Sequence, residues 1–200
     1  MATPIEFFFD FSSPYGYFAA HRIAAVGAEV QREIVWRPIL LGAVFKATGQ
    51  SPLVGQPLRG PYHLHDMTRT ARRLALPFQL PTGFPLATIA AARAYYWAEG
   101  QSPDDAKRLA LALFDAAFGQ GINITGSEVV VTVARQAGFD PAAVSAGIAL
   151  PEIKERLKME TGQAIVRGIF GSPFFIADGE AFWGNDRIPD LRDWLKSGGW

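Results

Sequence analysis

Residues 5–39 constrain the fold more than any other part of the chain. An apolar run, Ile5-Glu6-Phe7-Phe8-Phe9, stops at Asp10 and gives way to Phe11-Ser12-Ser13-Pro14-Tyr15-Gly16-Tyr17, where helical spacing begins. Phenylalanine at three successive positions marks a strand buried on both faces. Ser13 followed by Pro14 reads as an N-cap and a first helical residue, which predicts a helix over 14–27. Glu33-Ile34-Val35-Trp36-Arg37-Pro38-Ile39 reads as a second strand, ended by its proline. Strand, helix and strand in so short a span require parallel strands joined by a right-handed crossover. The Ser13 hydroxyl and the unpaired N–H groups of the first helical turn then face the carboxyl end of the first strand. Such a position suits an anion or a thiolate.

Beyond this unit the signals change. From Gly42 to Phe84 the chain is punctuated by Gly49-Gln50-Ser51-Pro52 and Gly55-Gln56-Pro57, so loops are predicted, with one helix over about 61–74. Residues 85–167 read as almost wholly helical, in segments 87–98, 102–118, 127–138, 140–149 and 151–168. Ser-Pro, Asp-Pro and Leu-Pro starts and glycine ends set their boundaries. Residues 174–177 and 180–183 flank Asp178-Gly179 as a hairpin, and 189–195 closes the chain as a helix. Without the helical block the order is β-α-β…β-β-α, that of an α/β thioredoxin-like fold. A thioredoxin-like domain over 1–40 and 169–200 is therefore expected, with a helical insertion domain over 41–168 roofing the ligand-binding end of the sheet.

Composition removes several function classes. The 19 basic and 19 acidic residues cancel, so no net field draws the chain to nucleic acid or to an anionic membrane. The absence of cysteine excludes disulfides, zinc–thiolate sites, a cysteine nucleophile and dithiol redox chemistry. His63 and His65 diverge on a helix, and with His21 they make poor support for a metal site or a Ser-His-Asp triad. The opening Met1-Ala2-Thr3-Pro4-Ile5-Glu6 lacks the basic-then-apolar pattern of a signal peptide, which makes a cytoplasmic location the expectation.

Three motifs in order, Phe9-Asp10-Phe11-Ser12-Ser13-Pro14-Tyr15, Gly171-Ser172-Pro173-Phe174-Phe175 and Phe182-Trp183-Gly184-Asn185-Asp186-Arg187, resemble the 2-hydroxychromene-2-carboxylate isomerases. These group with the kappa-class glutathione transferases in the DsbA-like thioredoxin superfamily, and the resemblance spans essentially the whole chain. It implies the DsbA/kappa-class architecture, a homodimer, and glutathione as cofactor, with Ser13 touching the glutathione sulfur. In redox relatives a Cys-Pro-x-Cys motif opens the same helix, so Ser13 stands for the attacking cysteine and Gly16 for the second. The thiol is thus borrowed. The resemblance further implies a cis Ser172–Pro173 bond, with the Ser172 N–H and C=O free to pair with the tripeptide as an added strand would. Asn185 and Asp186 fall where the family holds the γ-glutamyl end. Gln50 and Arg59 fall where it carries an asparagine and a lysine.

The reaction implied is cis–trans isomerisation between 2-hydroxychromene-2-carboxylate and trans-o-hydroxybenzylidenepyruvate, a step of aromatic catabolism, by reversible thiolate addition. Phe45, Phe84, Phe170 and Trp183 are candidates for a slot taking a small aromatic carboxylate, and Arg59, Arg69, Arg72 and Arg73 for its carboxylate partner. Two other functions fit the same residues: a kappa-like glutathione transferase or peroxidase, and a non-catalytic thioredoxin-fold binding protein. Plainer roles stand beside each motif. Ser102-Pro103 gives the same cap signal as Ser13-Pro14, Asn185-Asp186 is also an Asx-turn sequence, Arg69, Arg72 and Arg73 also fit a solvated helix face, and Tyr95-Tyr96-Trp97 suits core or dimer packing.

Overall fold

Phe7 and Phe9 project to one side of the first strand and Phe8 to the other, and each side finds its own apolar partners. The strand, β1 (Ile5–Phe9), is therefore central, as its unbroken hydrophobicity requires. In the computed structural model, which describes residues 3–200, a four-stranded sheet has the order β2-β1-β3-β4. Met1 and Ala2, from the opening segment read above, lie outside the described residues. β2 (Ile34–Pro38) runs parallel to β1, while β3 (Phe174–Ala177) and β4 (Glu180–Trp183) continue the sheet antiparallel. The register places Phe7 between Trp36 and Phe175, and the Phe7 and Phe175 rings stack at 5.3 Å. Asp178 and Gly179 both take positive φ in the β3–β4 turn, the conformation that makes Asp-Gly the favoured two-residue hairpin link.

α1 (Pro14–Glu29) follows β1, and α9 (Ile188–Ser197) closes the chain. Between β2 and β3 come α2 (Leu41–Thr48), α3 (Arg59–Leu74), α4 (Ile89–Glu99), α5 (Pro103–Phe114), α6 (Ser127–Gln136), α7 (Pro141–Ala149) and α8 (Pro151–Val166). α5 runs on into a π-helical turn, Asp115–Gly119. The Phe7/Phe9 side of the sheet shares one continuous core with α1, α4 and α5, through Phe18, Tyr95 and Phe114. The Phe8 side packs on Val44 of α2 and Ala164 of α8. Each buried phenylalanine contributes about 1.5–3 kcal/mol of transfer free energy. The helical block thus has no separate core of its own against the Phe7/Phe9 side of the sheet.

Tyr95 and Tyr96 belong to this core. Their hydroxyls donate to the carbonyls of Trp36 (3.1 Å) and Pro38 (2.7 Å), tying α4 to the edge strand. One helix and several element boundaries differ from expectation. α2 was not predicted, because its eight residues contain Gly42 and stand in a Gly/Pro-rich stretch. α3 begins at Arg59 rather than near Pro61. α4 begins at Ile89 rather than 87, because Thr88 is committed to another contact described below. Among the described residues no helix is long and apolar enough to cross a membrane.

Candidate active site

Ser13 is the N-cap of α1 in extended conformation, and its Oγ accepts the Gly16 N–H at 3.0 Å. The same hydroxyl donates to the Ser172 carbonyl, 3.0 Å away across 159 residues of chain. The Ser172 hydroxyl in turn accepts the Asp10 N–H at 3.0 Å. Ser13 and Ser172 therefore meet at the ends of β1 and β3, and Gly16 leaves room for them, since a Cβ there would lie 3.0 Å from Ser172 Oγ. Ser172–Pro173 is cis, as is Phe84–Pro85.

One expectation needs correction. The Ser172 carbonyl is not free, because it already accepts the Ser13 hydroxyl and keeps only its second lone pair. The Ser172 N–H has no acceptor among the described residues, nor does the Tyr15 N–H in the first turn of α1. Two donors are thus left at the helix start, where the dipole favours negative charge.

Beneath the serines lies Asp10, which sequence reasoning quoted but gave no role. It is 3% exposed. Its Oδ2 accepts the Leu41 N–H (2.6 Å) at the start of α2, and its Oδ1 accepts the Ser12 N–H (2.8 Å) and the Thr88 hydroxyl (2.5 Å) before α4. Burial pushes the Asp10 carboxyl up from the ordinary carboxylate range, against the pull of those donors. An acid closing a buried strand was its only sequence signal; its partners lie on three separate segments.

Two cavities meet here. An apolar one of about 660 Å³ is bordered by Asp10 and Ser13 and lined by Phe45, Phe84, Phe170 and Trp183, so all four expected aromatic residues do converge. A more polar one of about 950 Å³ holds Asn185 and Asp186. Tyr15, Leu53, Arg59, Ser172 and Trp183 border both. Trp183 lies over Gly171, where any Cβ would overlap its indole nitrogen, and meets Phe170 edge-on at 4.8 Å.

Gln50 lines the apolar cavity and Arg59 the boundary between the two. Arg59 leaves a classic γ-turn at Pro57-Leu58, whose Leu58 has φ 64° and ψ −42° and whose closing bond, Arg59 N–H to the Pro57 carbonyl, is 2.7 Å. Turns of this kind are rare and strained, and they persist where surrounding structure fixes them. Gly60 lets the residues after the turn pack closely on the preceding loop, since a side chain there would strike the Val54 carbonyl. Of the other arginines considered, Arg69 and Arg73 line the polar cavity and Arg72 borders neither.

Asn185 is 6% exposed, held by Arg22, whose Nη1 donates to its backbone oxygen (2.9 Å) and its Oδ1 (2.8 Å). Its amide N–H₂ is left as donor. Tyr15 donates to Asp66 Oδ2 at 2.7 Å and lies 3.3 Å from His63 Nδ1, joining α1 to α3. Burial first, then the Asp66 carboxylate, push the Tyr15 phenol far up, so it stays protonated. Burial works against the ionised Asp66, but hydrogen bonds from Tyr15 and Arg69 outweigh it and hold Asp66 below the usual carboxylate range. Sequence reasoning missed this network, whose members are 48 and 51 residues apart.

Comparison with known proteins adds to this geometry. The model of the DSBA-like thioredoxin domain matches residues 4–196. A 2-hydroxychromene-2-carboxylate isomerase of Sphingobium xenophagum is 27% identical over 197 residues, covering 98% of this chain and 99% of that protein. Glutathione S-transferase kappa 1 of Rattus norvegicus is 24% identical over 208 residues, covering 98% and 92%. The solved structure of a 2-hydroxychromene-2-carboxylate isomerase superposes with a TM-score of 0.88 at 24% identity, covering 98% of this chain and 95% of the other. Both groups that the three motifs resemble are thus among its relatives, and the solved structure shares its fold. With residues 4–196 of its 200 matched by that domain model, the chain belongs to the DSBA-like thioredoxin domain family.

Proposed function

We propose that this protein is a glutathione-dependent isomerase interconverting 2-hydroxychromene-2-carboxylate and trans-o-hydroxybenzylidenepyruvate. The observation that carries the reading is the junction of an apolar, aromatic-lined cavity with a polar one at Tyr15 and Ser172, with Ser13 bonded to Ser172. Relatives bearing the isomerase name over nearly their full length support it.

The donor set fits glutathione. The unpartnered Ser172 N–H suits the peptide middle, Asn185 and Asp186 the γ-glutamyl end, and Gln50 and Arg59 the glycine end. Bound glutathione supplies a thiolate that adds reversibly to a conjugated double bond, so that the bond turns as a single bond and the cofactor is regenerated. The chain's part is to hold negative charge at the sulfur. A free thiol has a pKa of about 8.5, and a helix N-terminus lowers it. The Tyr15 N–H and the Ser13 hydroxyl are placed for this. A hydroxyl has one proton, so Ser13 donates to sulfur only on leaving the Ser172 carbonyl. Phe45, Phe84, Phe170 and Trp183 take the aromatic rings and keep water from the reacting carbon.

The kappa-class relative supports a second reading, in which the same site conjugates glutathione to its substrate. The expected homodimer rests on the resemblance, and sedimentation tests it. The reaction is tested by following the hydroxychromene substrate spectroscopically with and without glutathione. Isomerisation that appears only with the thiol supports the proposal, and an inert mixture defeats it.

A further inference from the structure

Five arginines line the polar cavity, and nearby acids neutralise only two of them. Arg69 pairs with Asp66, and Arg187 with Asp186 and Asp190. Arg22, Arg59 and Arg73 have no carboxylate partner among the described residues. Arg59 stands at the boundary with the apolar cavity. Arg22 stands beside Asn185, fixed through Nη1, with Nη2 and Nε lacking an acceptor among the described residues. Arg22 of α1 and Arg73 of α3 line the same cavity, and burial first, then the charge of Arg73, hold the Arg22 pKa below its ordinary value. Like charges left together on a cavity wall are relieved by an anion between them, and a guanidinium fork matches a carboxylate. Asp186, adjacent to Asn185, offers an acid on the same wall.

We propose that Arg22 and Arg73 clamp the free α-carboxylate at the γ-glutamyl end of the ligand. The clamp presupposes glutathione as the ligand, as proposed above. It makes the site selective for a free amino-acid terminus, because a ligand without that carboxylate leaves two cations unpaired. Two acid-free cationic positions, Arg59 and the Arg22–Arg73 pair, then match the two carboxylates of the tripeptide.

Calorimetry with the whole protein tests this using glutathione and γ-aminobutyryl-cysteinyl-glycine, which keeps the ammonium and lacks only the α-carboxylate. The unmodified protein is expected to bind glutathione at least tenfold more tightly than the analogue. In Arg73→Gln, an exposed change at the last turn of α3, that preference collapses to within about threefold, through weaker glutathione binding. Equal affinity of the unmodified protein for both peptides, or a preference that survives Arg73→Gln, overturns the clamp and leaves the glutathione reading standing. Binding of neither peptide overturns both.

Discussion

Ser13 carries three duties in one hydroxyl: it caps α1 through Gly16, bonds the Ser172 carbonyl, and in the proposed reaction faces sulfur. Ser13→Ala separates them. Loss of the cap costs about 1 kcal/mol in chemical denaturation. If the hydroxyl also acts on sulfur, the pKa of bound glutathione, followed by ultraviolet thiolate absorbance, rises in the variant. An unchanged pKa reduces Ser13 to a cap. Asp10 yields a second prediction. An asparagine has one oxygen where the carboxylate uses two, so Asp10→Asn leaves either Leu41 N–H or the Ser12 and Thr88 donors facing an amide N–H₂. A loss of about 1–3 kcal/mol is expected in urea unfolding; parental stability would show that these bonds do not hold the cavity floor. Ser13 was legible in the sequence because a cap is a local signal. Asp10 was not, because the donor of its shortest hydrogen bond, Thr88, lies 78 residues away and only the fold joins them.

The same contrast holds among the elements. Strands β1, β2, β3 and β4 and helices α1 and α5 to α9 were read from apolar runs, Ser-Pro and Asp-Pro starts and the Asp-Gly turn, all local chemistry. α2 was not, because Gly42 and the loop composition around it lower helix propensity, and the helix is fixed by Leu41 bonding Asp10 and Val44 packing under Phe8. Ion pairs join α8 and its following turn to the sheet: Glu6 of β1 meets Arg37 of β2 (2.7 Å) and Arg167, and Arg37 reaches Glu160 of α8 (3.4 Å). The Arg167 hydrogen bond outweighs burial, and with Arg37 it holds the Glu6 carboxyl below its ordinary 4.5. A carboxyl lowered on folding stabilises the native state above its unfolded pKa, and that contribution fades as pH falls through the folded value. Thermal melting of Glu6→Gln is therefore expected to match the parent more closely at pH 3 than at pH 7. A constant difference across that range would remove Glu6 from the acid limb. High salt weakens the exposed part of this network.

At the scale of the molecule, residues 41–168 pass between β2 and β3 and share a core with the sheet, so the roof over Ser13 and the floor under it are one packed body. The order β-α-β…β-β-α was legible because it follows from the sequence of elements. The sharing of the core was not, because it needs Tyr95 and Phe114 to reach Phe9 across the fold. The four aromatic residues named from sequence converge on one cavity, while the arginines sort themselves only through α3 and its strained entry at Leu58. The central claim is that the cysteine-free chain works with a borrowed thiol that it returns. Glutathione is therefore measured before and after many turnovers of the hydroxychromene substrate, together with the trans product. Full recovery of glutathione, with turnover that stops when it is omitted, is the predicted result. One glutathione consumed per product, or turnover undiminished without it, would contradict the account.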